Sequence, residues 1–128
     1  FDDVNYPMLE TVTRITSPLS LVSYLDGAAL CVCATGMTAY ESLCAGVPLV
    51  LGNISEDHDR TARGLVGHGV ARNVGMWSEF TVAKCRAAVE SYLSERTFWP
   101  SASRRARDMV DGKGAARVAT RIMELIKR

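Results

Sequence analysis

No stretch of this chain is apolar for long enough to span a bilayer, and no basic, apolar and small-residue succession marks a signal peptide. Net charge is nearly absent too. Fifteen basic and 14 acidic side chains leave +1, so nothing in the balance calls for nucleic acid as a partner. The four cysteines, Cys31, Cys33, Cys44 and Cys85, contain no C-x-x-C pair. They read as buried, reduced thiols, which fit a reducing compartment and a cytoplasmic protein. There is no internal repeat, low-complexity tract or linker. Asp57-His58-Asp59 is too compact for a metal site, because three adjacent helical residues cannot all face one ion. No Ser/His/Asp set, Cys/His pair or paired carboxylates can be argued, so no catalytic residue, metal or cofactor is assigned. What remains is 128 residues, 48% of them hydrophobic and 23% charged, which suits one domain with a single core over residues 1–128. The chain opens on Phe1, and a segment upstream of it is expected.

The informative stretch is Leu30–Asn53, LCVCATGMTAYESLCAGVPLVLGN. Its apolar run Leu30–Ala34 has the length of a buried strand. Thr35-Gly36 breaks that run, Thr38 opens a helix carrying Ala39, Leu43 and Cys44, and Gly46 stops it. Val47-Pro48 then leads into a second apolar run, Leu49–Leu51. Strand, glycine turn, helix, strand is a parallel βαβ unit, whose ligands gather outside the carboxyl ends of the strands. Two accounts of the turn compete. In one, Thr38 and Glu41 form a capping box. In the other, Gly36–Thr38 cradles a phosphate with free backbone N–H groups and the helix dipole, and Glu41 accepts hydrogen bonds from a ribose. Spacing alone does not separate them.

Around this stretch the pattern alternates. Thr11–Ile15 is β-branched and reads as a strand. Ser17-Pro18 opens a helix bearing Leu19, Val22 and Leu25, and Gly27 ends it. Ser55 is an N-cap with Glu56 and Asp57 in the first turn, for a helix to about Gly67. Val70–Val74 is a fourth strand. Thr81 caps a helix with Val82, Cys85, Val89 and Tyr92 on one face. Phe98-Trp99-Pro100 interrupts, and Ser101 begins another helix to about Met109. Its Arg104, Arg105 and Arg107 read as a solvated face, with docking to an anionic partner as the alternative. After Val110-Asp111-Gly112-Lys113-Gly114-Ala115, a last amphipathic helix runs through Ile126. The fold class expected is therefore α/β: a Rossmann-like three-layer sandwich on a short parallel sheet.

The stretch TGMTAYESLCAGVPLVLGN resembles the nucleotide-sugar motif in the C-terminal half of GT-B enzymes, where Gly/Ala-x-Thr-x-x-Glu precedes a helix and Ala-Gly-x-Pro. Two branches are similar: the GlcNAc transferase of the peptidoglycan lipid intermediate, and the UDP-sugar hydrolase of pseudaminic acid synthesis with its spore-coat polysaccharide relatives. The closing string Val110–Val118, Val-Asp-Gly-x-Gly-Ala-x-Arg-Val, resembles the hydrolase branch. The resemblance implies one GT-B half that binds a UDP-sugar through Thr35, Gly36, Met37, Thr38 and Glu41, with Thr38 on the phosphate side and Glu41 on the ribose. His58 stands where the hydrolases carry a sugar-facing glutamine, a departure that bears on sugar specificity. Ile15 and Thr16, in the loop after the first strand, are candidate base contacts, with edge packing as their alternative. The catalytic base of the resembling hydrolases lies in the N-terminal half, so that half, or a partner chain, is the expected partner. A rival expectation is a non-catalytic assembly subunit, as in the split yeast-type GlcNAc transferase.

The Gly36–Thr38 turn lacks the G-x-x-x-x-G-K-[ST] pattern and its phosphate lysine, so a triphosphate with Mg²⁺ has no cradle here. UDP or a UDP-sugar is expected to raise the melting temperature more than ATP does, and a preference for ATP would overturn the resemblance.

Overall fold

The computed structural model describes residues 11–16, 20–95 and 97–127. A parallel sheet is built from β1 (Cys31–Ala34), β2 (Leu49–Asn53) and β3 (Ala71–Met76), in the order β1-β2-β3. The central strand, β2, is buried from end to end, which is why its sequence is a continuous apolar run instead of an alternating one. Leu49 and Leu51 point to one face and Val50 to the other.

Helices cover both faces, giving the three layers expected. On one side α2 (Met37–Cys44), α3 (Glu56–Gly67) and α5 (Phe98–Met109) close over Leu49 and Leu51 with Ala39, Leu43, Ala62, Leu65 and Ala106. On the other side α4 (Val82–Ser94) lays Cys85, Val89 and Tyr92 against Val50 and Val74. Each fully buried leucine or valine in these layers contributes about 1.5–3 kcal/mol. The Tyr92 hydroxyl donates to the Leu49 carbonyl at 2.9 Å, and burial raises its pKa above the ordinary phenol value. Short α1 (Val22–Leu25) precedes the sheet, and α6 (Gly114–Ile126) closes the chain.

Three boundaries differ from the sequence reading. Thr11–Ile15 forms no strand: residues 11–16 are exposed and lie outside the sheet. β-Branched side chains favour a strand only where a neighbouring strand and a buried face reward it, and here neither is present. The start proposed at Ser17-Pro18 lies outside the described residues, and the helix that follows is the single turn α1. Phe98-Trp99-Pro100 is no interruption but the first turn of α5. A proline fits there because the first N–H groups of a helix have no intrahelical partner.

The arginines of α5 are not merely a solvated face. Arg105 donates to the Gly69 carbonyl at 2.8 Å and Arg107 to the Ala45 carbonyl at 3.3 Å. They cover the ends of α3 and α2, where carbonyls lack intrahelical partners. Gly46 and Gly69 make this possible, with φ of +78° and +67°. A Cβ added at Gly46 would lie 2.5 Å from Arg107 Nε.

Gly46→Ala is therefore expected to lower the unfolding free energy by at least about 1–2 kcal/mol, the cost of a left-handed L-residue. Adding Arg107→Ala should recover the contact part of the loss but not the backbone part. Urea midpoints of the two variants check this, and an unchanged midpoint for Gly46→Ala would refute it.

Candidate functional site

α2 and α3 both start just beyond the carboxyl ends of their preceding strands, so their N-termini open on the same edge of the sheet. The cap of the first lies two residues earlier than the capping-box reading placed it. Gly36, not Thr38, is the N-cap of α2, and no side chain caps this helix. The Thr38–Glu41 capping box is thus absent. The physical reason is position: Thr38 already lies inside the first turn, where its hydroxyl cannot reach forward to a terminal N–H as an N-cap side chain does.

The turn has fewer free donors than a three-residue cradle implies. Gly36 N–H is already bonded to the Ala34 carbonyl at 2.8 Å, and Ala39 N–H to the Gly36 carbonyl at 3.1 Å. Met37 and Thr38 N–H are left as the open donors of this terminus, where the helix dipole favours an anion. Gly36 itself has φ −131° and ψ −155°, an ordinary extended conformation, and a Cβ there would meet nothing within 4 Å. Neither backbone geometry nor internal packing requires glycine at this position. Space over the turn is what its missing side chain leaves.

Thr35 is buried, and its side chain is engaged inside the protein. Its hydroxyl donates to Asn53 Oδ1 at 2.7 Å. Asn53, at the end of β2, is 0% exposed and spends its amide on Asp59 Oδ1 at 3.1 Å and Asn73 Oδ1 at 2.9 Å. Asn73 Nδ2 also donates to Asp59 Oδ1, at 3.1 Å. This set joins the residue after β1, the last residue of β2 and Asn73 within β3 to the first turn of α3. Sequence reasoning missed it, although one signal was available: an asparagine closing an otherwise apolar buried strand needs partners.

Glu41, on the exposed side of α2, caps nothing. Met37 is the most exposed residue of that helix's first turn, and Thr38 is half-buried. In α3, Ser55 is the expected N-cap, its hydroxyl accepting from His58 N–H at 3.3 Å. His58 is half-buried, and its Nδ1 is shielded from solvent without a hydrogen-bond partner among the described residues. Its acidic neighbours diverge: Asp57 pairs with Arg60 at 3.4 Å, whereas Asp59 pairs with Arg63 at 2.5 Å and joins the asparagines. Ile15 is exposed and outside the sheet, without the preceding strand that the base-contact expectation relied on.

A cavity of about 310 Å³ lies on the other face of the sheet, lined by Val32, Ala34, Gly52, Ile54, Trp77 and Phe80. Trp77 stacks on Phe80 with ring centroids 5.0 Å apart. Val32 is 51% exposed there, because α4 covers β2 and β3 but not β1.

No family model matches the sequence. The chain is 24% identical over 122 residues to the spore coat polysaccharide biosynthesis protein SpsG of Bacillus subtilis (strain 168), covering 95% of this chain and 35% of that protein. Its fold superimposes on the crystal structure of the glycotransferase of kitacinnamycin with a TM-score of 0.70 and 26% identity, over 94% of this chain and 32% of the other. The fold is that of one half of a GT-B glycosyltransferase. The chain spans about a third of the length of each of these relatives. No helix among the described residues is long and apolar enough to cross a membrane.

With the capping role removed, Glu41→Gln is expected to leave the melting temperature almost unchanged. UDP binding should weaken by about 1.5–3 kcal/mol, the scale of hydrogen bonds to a charged group. Deoxyuridine diphosphate should also bind the wild type less tightly than UDP. Calorimetric titration checks both, and equal affinities would leave Glu41 an ordinary surface residue.

Proposed function

We propose that residues 1–128 are a nucleotide-sugar-binding domain, the C-terminal half of a UDP-sugar hydrolase or glycosyltransferase acting in cell-surface polysaccharide synthesis. The observation that carries this reading is Gly36. It is a glycine with no conformational or packing need, beside two open N–H donors at a helix N-terminus. That combination lets a diphosphate approach the backbone closely. In this reading Met37 and Thr38 N–H receive the diphosphate, Glu41 the ribose hydroxyls and His58 the sugar side. The likeness to SpsG and to the kitacinnamycin glycotransferase supports the placement in glycan chemistry.

Such a site works by positioning the donor and by stabilising charge on the departing diphosphate. The general base is assigned to an opposing half, supplied by the same polypeptide or by a partner chain. Two uncovered apolar surfaces support a further packing partner. Among the described residues β1 is an open sheet edge with Val32 exposed, and α6 has no buried residue although Val118, Ile122 and Leu125 line one of its faces. The same surfaces favour a second reading, a subunit that docks a partner chain without contributing catalysis.

The isolated 128-residue chain is expected to bind UDP weakly and to release no UDP from a UDP-sugar above background, because one wall of a cleft leaves the sugar in water. Adding the opposing half in cis or in trans should restore turnover. A coupled UDP-release assay decides between outcomes. Turnover by the chain alone that disappears with Glu41→Ala would show that the two-half reading is wrong. A reconstituted complex whose turnover ignores Glu41→Ala would favour the docking subunit.

A further inference from the structure

The buried polar set at the carboxyl end of the sheet has an architecture that the proposed ligand contacts do not use. Asn53 stands at its centre, and its two ends serve different elements. The carbonyl oxygen, Oδ1, accepts from the hydroxyl of Thr35, the residue immediately before Gly36. The amide nitrogen, Nδ2, donates to Asp59 and Asn73. Asp59 lies in the first turn of α3, next to His58, and Asn73 fixes the end of β3 by accepting Gly75 N–H at 2.9 Å. The two hydrogens of Nδ2 and the Thr35 bond to Oδ1 are thus committed in separate directions, with no donor or acceptor shared between them.

We infer that Thr35, Asn53, Asn73 and Asp59 are positioning residues with two separable arms: Thr35 aligns the α2 N-terminus for the diphosphate, and Asp59 with Asn73 aligns the α3 N-terminus, and His58 with it, for the sugar. The inference rests on the reading of these termini as a UDP-sugar site. Its physical basis is the directionality of hydrogen bonds: each end of the planar amide directs its own bonds, so each helix start is aligned by the end that faces it. A few tenths of an ångström of drift at either terminus moves donors away from a fixed ligand oxygen, and positioning is what such sites depend on. The bond that anchors each arm is buried or partly buried, so removing its partner leaves an unsatisfied group and not a hydrated one.

The test uses UDP and UDP-N-acetylglucosamine as probes, titrated calorimetrically into the wild-type chain and four variants. Thr35→Val removes the hydroxyl at nearly constant volume. It is expected to weaken both probes by the same factor, about fivefold or more for one buried hydrogen bond. Thr35→Ser, which keeps the hydroxyl, should restore both. Asp59→Ala removes the acceptor of the other arm. It is expected to leave UDP within about twofold and to cut the advantage of the sugar nucleotide over UDP by about fivefold, on the same hydrogen-bond scale. Asp59→Asn loses the charge but keeps the acceptor oxygen, so it should recover that advantage. A folded Asp59→Ala variant that weakens both probes alike, or folded variants of either arm that change neither probe, would overturn the inference.

Amide hydrogen exchange supplies a readout that needs neither a variant nor tight binding. In the wild type UDP should protect Met37 and Thr38 alone, and the sugar nucleotide should extend protection to Glu56–His58. Protection of both termini by UDP would overturn the separation of arms. If the wild type binds neither probe, the nucleotide-sugar reading is what fails. Exchange in the variants still decides the network: Thr35→Val should speed it only at residues 37–39 and Asp59→Ala only at 56–59. Loss without that division would return the set to a purely structural role.

Discussion

The constraint on which this molecule turns is a single carboxamide with no access to water. Asn53 ends the central strand at 0% exposure, and an uncompensated amide there would cost several kcal/mol. Its hydrogen bonds to Thr35, Asp59 and Asn73 remove that cost by gathering the residue after β1, the middle of β3 and the start of α3 around it. Each of these bonds satisfies its own donor or acceptor, so losing any one leaves that group buried and unpaired. The geometry of the sheet follows. Leu51 pairs with Asn73 but Asn53 with Met76, so β3 carries one extra residue opposite Gly52. Gly75 absorbs that bulge with φ +95°, and Asn73 Oδ1 binds its N–H.

What the sequence disclosed was whatever repeats locally or is punctuated locally. The apolar runs at residues 30–34 and 49–51 announced strands because a buried parallel strand has no polar face to alternate. Ser55 and Thr81 announced helix starts because a cap is a contact across three residues, and both serve as read. Thr11–Ile15 misled because β-branching reports a preference whose reward is supplied by neighbours elsewhere in the chain. Phe98-Trp99-Pro100 misled for the opposite reason: proline breaks helix interiors but is at home in a first turn.

The candidate site was legible in outline and not in mechanism. Gly36, Thr38 and Glu41 were found from spacing and resemblance. Which amides are open depends on a turn that spends Gly36 N–H on Ala34, and no periodicity encodes that. Thr35 was named among the substrate-binding residues that the resemblance implies, and its hydroxyl is committed to Asn53, 18 positions away in the chain. Asn53 and Asn73 are 20 apart, and only the pairing of β2 with β3 makes them neighbours. Long-range polar sets of this sort leave a faint sequence mark, a polar residue closing an apolar run, without naming the partners.

The two ends of α2 and α3 are treated differently, and the difference bears on what the fold is for. At their C-terminal ends Arg107 and Arg105 reach across from α5 to occupy the Ala45 and Gly69 carbonyls, and two left-handed glycines make room for them. At their N-terminal ends Ser55 satisfies one donor of α3, but no side chain caps α2, and Gly36 keeps the space above Met37 and Thr38 clear. Each C-terminal carbonyl carries partial negative charge that a guanidinium neutralises, so that side of the sheet is electrostatically closed. On the opposite side Glu56, Asp57 and Asp59 in its first turn answer the positive end of α3, whereas α2 has neither a cap nor an acid there and keeps its positive end open. The chain thus finishes the C-terminal ends of both helices with two arginines and two glycines, caps the start of α3, and leaves the start of α2 as the one open terminus among these four ends.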